Sequence, residues 1–241
     1  MTPPTPPTPP TPPVPPSAPA PPSSPFPPAP PGPDLAALRG AVAEFARFTG
    51  PERSWLRLLE RTAPRLDLSL PGHPQALLAW LNSWGCRLRT PRPGEPDVFG
   101  TAVTGWWTRR AGHLPAPERS LALLTDAEID RIGLCYAELS AAPATAGERP
   151  RTVGATAASK ALHALRPRAV MPWDAAISGR LHGSRTPAAY ARHLRLGRSW
   201  ARRLLEESGL GEEALAASLG RPGRPLAKML DDYCYLTFSA S

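Results

Sequence analysis

Gly154, Lys160 and Asp174 fall within one stretch, Val153 to Ile177 (VGATAASKALHALRPRAVMPWDAAI), and are the residues whose types and spacing could do chemistry. Asp174 follows Pro172 and Trp173 and precedes a helical apolar pattern, so its carboxylate sits at or near a helix N-cap, facing unpaired backbone N–H groups. The bland reading of such a residue is a cap; the sharper ones are a catalytic carboxylate or a binding group. Lys160 is one of only two lysines among 28 basic residues, the other being Lys228. Each could equally serve in a surface ion pair. Phosphate loops, HExxH and GxSxG are absent, and the five histidines, at positions 73, 113, 163, 182 and 193, do not cluster in sequence. Hydrolase, kinase and metalloenzyme readings therefore have no foothold, and neither a metal nor a cofactor is expected.

A second candidate is electrostatic. Between Asp174 and Glu206 the chain carries seven arginines and no acid, and Arg195, Arg198 and Arg202 share one helical face. Such a stripe can track the phosphates of double-stranded DNA or lie solvated. The net charge of +8 agrees with a polyanionic partner, although the same Arg, Ala, Gly and Pro bias also comes from GC-rich coding. Cys86, Cys135 and Cys234 are far apart, with no spacing for zinc, and are expected to be reduced.

These groups need helices to hold them. Gly154, Ala155 and Thr156 open a helix in which Ala157, Ala161, Leu162 and Leu165 keep helical spacing until Pro167. Thr125-Asp126-Ala127-Glu128 is a capping box ahead of Ile129, Ile132, Tyr136 and Leu139. Asp34 caps a helix through Leu35, Leu38, Val42, Phe45 and Phe48 that Gly50 ends, and Pro51 opens another that presents Trp55, Leu58 and Leu59. Further helices are read from Leu77 to Trp84, Val98 to Arg110, Asp174 to Gly183, Pro187 to Ser208, Gly211 to Leu219 and Leu226 to Phe238. Ala141 to Arg151 reads as a flexible connection, and no strand pair is expected. The fold class is thus all-α, a globular domain of about ten helices over residues 34–241.

Residues 1–33 hold 19 of the 35 prolines and no charged side chain, so they cannot build a core. They read as a disordered Pro-rich tail, a spacer whose PxxP spacings could also dock on a polyproline-binding partner. The chain shows neither a signal-peptide pattern nor an apolar run near 18 residues, which gives the expectation of a cytoplasmic protein that does not span a membrane.

Val153-Gly154 opening a small-residue helix, then VMPWD with Asp174 twenty residues after Gly154, resembles the helix-hairpin-helix DNA glycosylases of the endonuclease III and 8-oxoguanine glycosylase superfamily. The resemblance implies that Gly154, Ala155 and Thr156 present backbone N–H groups to a DNA phosphate and that Asp174 assists base excision. Arg151-Thr152-Val153-Gly154 stands where that family has a Pro-Gly-Val-Gly type turn. Thr156 stands where bifunctional members carry their Schiff-base lysine, and Lys160 lies one turn further on. The implied activity is therefore at most that of a monofunctional glycosylase, with Asp174 stabilising an oxocarbenium-like charge.

SKALHALRPRAVMPWDAAI, the Arg-rich helix with Tyr190 and the terminal LAKMLDDYCYL also resemble a group of bacterial helical proteins that brings no activity with it. That likeness implies that Lys160, Arg166, Trp173, Asp174, Lys228 and Asp231 form one structural or binding set. Two functions follow from different classes: a DNA-binding protein derived from the glycosylase fold, with or without catalysis, and a helical protein-interaction module tethered by its Pro-rich tail.

Overall fold

The computed structural model describes residues 31–146 and 150–239. The expected disorder of the Pro-rich tail falls mostly outside them. Only its last residues are described, and there the body starts earlier than expected: Pro33 is buried, its carbonyl accepts from Arg203 at 2.9 Å, and Gly32 lies so close to Trp200 that an added Cβ would sit 2.2 Å from the indole.

Ten α-helices are found among the described residues: α1 Leu35–Phe45, α2 Thr49–Arg61, α3 His73–Ser83, α4 Val98–Arg110, α5 Asp126–Ala141, α6 Ala155–Leu165, α7 Ala175–His182, α8 Pro187–Ser208, α9 Glu212–Ser218 and α10 Leu226–Cys234. The all-α class holds, with one addition. A two-stranded antiparallel hairpin, β1 Pro143–Thr145 and β2 Arg151–Thr152, stands where a flexible connection was expected. Strands of three and two residues in a Pro-rich stretch leave no alternation to read, so the hairpin has no periodic signature.

Local chemistry sets most of the helix ends. Thr125 caps α5 by accepting from the Glu128 amide, and Glu128 accepts from the Thr125 amide at 2.7 Å, closing the capping box. Thr186 caps α8, Pro187 fills its first turn, and Gly209, at a φ of 64°, ends it.

The core is one cluster of buried side chains running from Leu38 in α1 to Cys234 in α10. Helix α8 lies against α5 and the 3₁₀ turn Leu121–Leu123, α5 against α6, and α10 against α1. Trp80, on α3, is 6 % exposed and belongs to this core. No helix among the described residues is long and apolar enough to cross a membrane.

Candidate nucleic-acid interface and the polar cluster around Lys160

The segment that presents Asp174 is held by side chains rather than by regular backbone pairing. Four consecutive carbonyls, from Val170 to Trp173, each receive one side-chain donor. His163 Nδ1 meets Val170 at 2.7 Å, Tyr190 Oη meets Met171 at 3.3 Å, His193 Nε2 meets Pro172 at 3.2 Å, and Ser159 Oγ meets Trp173 at 2.9 Å. The donors come from α6 and α8, which clamp the segment between them. An extended, buried backbone must find such partners or lose stability for each orphaned carbonyl. Tyr190, Trp173 and Tyr136 stack around it, with the two tyrosine rings 4.3 Å apart.

His193 donates through Nε2 to a carbonyl, so its Nδ1 is an acceptor and receives the Nε2–H of His182 at 3.1 Å. Both rings are neutral. Burial pushes His182 down to about 4, helped by nearby Arg192, and His193 down to about 3, helped by His182 itself. Among the described residues no three His, Cys, Asp or Glu side chains group as a metal site. The histidines are framework, and sequence separation had hidden this: positions 163, 182 and 193 belong to three helices that meet only in the fold.

Held this way, Asp174 caps α7. Its Oδ1 accepts from the Ile177 amide at 2.9 Å, and its Oδ2 accepts from the Ser239 hydroxyl. Ser239 ends the π-helical turn Tyr235–Ser239, which packs on α7, so the C-terminal segment partly covers the carboxylate. Both oxygens are engaged.

Lys160 lies one turn into α6. Its Nζ stands 4.2 Å from the centroid of the Trp84 ring, and Lys228 approaches the same ring at 5.5 Å. Burial holds the Lys160 amine below the ordinary lysine range, against the attraction of Asp231, Cys86 and Asp174. The structure therefore brings Lys160 and Asp174 into one electrostatic neighbourhood. Behind them Lys228 donates to Asp231 at 2.6 Å and Asp232 at 2.5 Å, while Arg224 bridges Asp232 and Glu52 at 2.8 and 2.9 Å. Burial disfavours the charges on both Lys228 and Asp231, but their mutual attraction wins, raising the lysine and lowering the acid. Arg166 and Trp173, also expected in this set, are buried and act otherwise. Arg166 donates to the carbonyls of Pro115 and Leu165, and Trp173 packs on His182 and His193.

The N-terminus of α6 differs from the α5, α7 and α8 starts. Gly154, at φ 78° and ψ 164°, has no side chain with which to cap it. Gly154 itself is not free: its amide donates to Ser140 at 2.9 Å, and Val153 donates to Ala142, tying the start of α6 to the end of α5. Ala155 and Thr156 form the uncapped first turn. Beside it lies a hollow of about 580 Å³ lined by Arg87, Arg89, Arg151 and Thr152, between the hairpin and the chain after α3. Arg89 pairs with Glu95 at 2.6 Å, whereas Arg87 and Arg151 are exposed and have no side-chain partner among the described residues. Arg87 belongs to the Arg- and Pro-rich loop Cys86 to Pro96, which reads in the sequence as an exposed loop that could touch phosphate or lie solvated, and Arg151 opens the turn before α6; that the two line one hollow is set by the fold, since they are 64 positions apart.

The stripe on α8 is elsewhere and is occupied. Arg195 binds Asp126 and Asp130 at 3.1 and 2.7 Å, and Arg198 binds Asp126 and the Leu124 carbonyl at 2.7 and 2.9 Å. Arg202 donates to the Ala122 carbonyl at 2.7 Å. Arg195 and Arg198, expected to track phosphate or lie solvated, are half-buried and find on α5 the acids that α8 lacks, while Arg202 stays exposed and meets only a backbone carbonyl.

Comparison with protein-family models, with curated proteins and with solved structures gives no match, so the roles of these residues rest on their geometry.

Proposed function

We propose that this chain is a DNA-binding helical protein related to the helix-hairpin-helix glycosylases, which grips the duplex backbone at the N-terminus of α6 and releases no base. The observation that carries this reading is the hollow beside α6. There Arg87 and Arg151, two guanidiniums without a side-chain partner among the described residues, line a hollow that extends to Val153, just ahead of the uncapped first turn of Ala155 and Thr156. Free helix-terminal amides with adjacent cations favour a phosphate, through the helix dipole and charge-assisted hydrogen bonds. Lys160, one turn into α6, feels the Asp174 carboxylate, the residue to which the glycosylase resemblance assigns base excision. Asp174, however, spends one oxygen on a helix cap and the other on Ser239, which favours a positioning role over excision.

The test is duplex binding, measured by fluorescence anisotropy across a salt series. Arg87→Gln with Arg151→Gln should weaken binding and flatten the slope of log affinity against log salt by up to about 0.9 for each phosphate no longer neutralised. An unchanged slope removes the hollow from the interface.

The second reading, a helical protein-interaction module, is favoured by a different surface. Leu56 and Leu59 on α2 are 55 % and 42 % exposed at the rim of an aromatic cleft. Docking of apolar groups there would be nearly independent of salt, which separates the two readings.

A further inference from the structure

Arg221 is half-buried, has no side-chain partner among the described residues, and lines a cleft of about 280 Å³ whose walls include Phe45, Trp55, Trp80 and Trp84. The loop that carries it is fixed on both sides. The Arg221 amide donates to the Ala216 carbonyl at 2.8 Å and the Gly220 amide to Ala217 at 2.9 Å, the pair of bonds that ends a helix on a left-handed glycine, here Gly220 at a φ of 72°. The Arg221 carbonyl then accepts from the Arg224 amide at 3.0 Å, closing a tight turn with Pro222 and Gly223 at its centre. Such a loop presents its side chain at little further cost in order. The other charges at the cleft answer one another. Arg224 pairs with Glu52 and Asp232, Lys228 pairs with Asp231 and Asp232, and Lys160, over the Trp84 ring, is drawn by Asp231. Three acids meet three cations, and Arg221 is left over.

We propose that this cleft binds a small planar aromatic acid, with one or two rings against Trp55 and the carboxylate paired to Arg221. The walls favour a flat ring: Trp84, Trp80 and Trp55 follow one another in edge contacts at 6.4 and 5.7 Å, and Trp55 meets His163 at 5.8 Å. Lysines stand over Trp84 and Phe45 at 4.2 and 4.5 Å, so a cationic ligand finds those faces taken. Half-buried Trp55 has no cation over its ring among the described residues and is the face left for a ligand to stack on. A guanidinium matches a carboxylate through two parallel hydrogen bonds, which sets an acid apart from a neutral ring of the same shape. The volume lies just below the roughly 300 to 1,000 Å³ of pockets for drug-sized ligands, which limits the occupant to one or two rings. This site is separate from the hollow beside α6 and does not depend on duplex binding.

Isothermal titration calorimetry of the full chain with 2-naphthoate and indole-3-acetate, each beside its neutral amide, tests this. The acids should bind more tightly than the amides, and added salt should weaken the acids alone. Arg221→Gln should weaken both acids by about tenfold or more, the worth of a hydrogen bond to a charged group, and leave the amides as they were. Its urea midpoint should match that of the wild type, because the guanidinium has no side-chain partner to lose. Trp55→Leu should weaken acids and amides alike. A saturating DNA duplex should leave acid binding unchanged. Failure of both acids to bind overturns the proposal, as does equal affinity for acid and amide or unchanged acid binding in Arg221→Gln. Displacement of the acids by the duplex also overturns it, and would assign the cleft to nucleic acid.

Discussion

Lys160 Nζ lies 4.2 Å from the ring centroid of Trp84, which places a half-buried ammonium against an indole of the aromatic cleft wall. A cation over an indole in a partly desolvated setting contributes about 0.5 to 2 kcal/mol. A double-mutant cycle with Lys160→Met and Trp84→Leu, followed by urea unfolding, should return a coupling energy in that range. A coupling near zero would show that the amine answers only to the surrounding acids.

The arginines of α8 make a sharper contrast between charge and function. Arg198 and Arg202 donate to the carbonyls of Leu124 and Ala122, both in buried residues. Arg198→Gln with Arg202→Gln should orphan those acceptors and cost about 1 to 3 kcal/mol for each. The salt dependence of DNA binding should stay as it is. A flattened salt slope with unchanged stability would return the stripe to the interface.

What is legible in the sequence is what is local. The Thr125–Glu128 box, the Asp174 cap and the Pro187 start are each decided by side chains three or four residues apart, and α4 and α8 begin and end where their residues imply. That Arg195, Arg198 and Arg202 share one face also follows from their spacing. What that face meets does not, because Asp126 and Asp130 lie on another helix some 70 positions away. The same limit hides the clamp on Val170 to Trp173 and the meeting of Arg87 with Arg151. Such pairings are set by how helices pack, which no periodicity encodes.

The histidine clamp gives a pH dependence whose sign is fixed. His182 and His193 titrate at about 4 and about 3 in the folded chain, because burial disfavours their charged forms. An unfolded histidine titrates near 6.5, so below that pH the unfolded chain binds more protons. Their contribution is full above pH 6.5 and is lost as pH falls toward 4, by up to about 1.4 kcal/mol per pH unit for each histidine. Urea midpoints should drop between pH 6.5 and 5, a window in which most carboxylates stay ionised. His193→Gln, which keeps a donor for the Pro172 carbonyl, should lower stability at pH 7 but flatten this dependence. Equal stability at pH 7 and pH 5 would contradict the burial of neutral rings.

Asp174 is where the cap and the catalyst demand opposite outcomes from one substitution. Its Oδ1 accepts from Ile177 at 2.9 Å, a bond that Asp174→Asn retains, and the Ser239 hydroxyl can turn to suit an amide. As a cap, the residue should therefore tolerate Asn at a cost of less than about 1 kcal/mol, from the lost charge at the helix N-terminus. Asp174→Ala should cost about 0.5 to 2 kcal/mol. DNA binding should survive both changes. As the carboxylate of a monofunctional glycosylase, it would stabilise positive charge developing on the sugar, and Asn would cut excision by orders of magnitude while binding persisted or tightened. Wild-type protein is to be incubated with duplexes carrying oxidised, alkylated and deaminated bases, and any product formation repeated with Asp174→Asn. We expect binding without release of any base. Excision by the wild type that disappears in Asp174→Asn would overturn the non-catalytic reading, and would require Ser239 to give up its bond to the carboxylate during turnover.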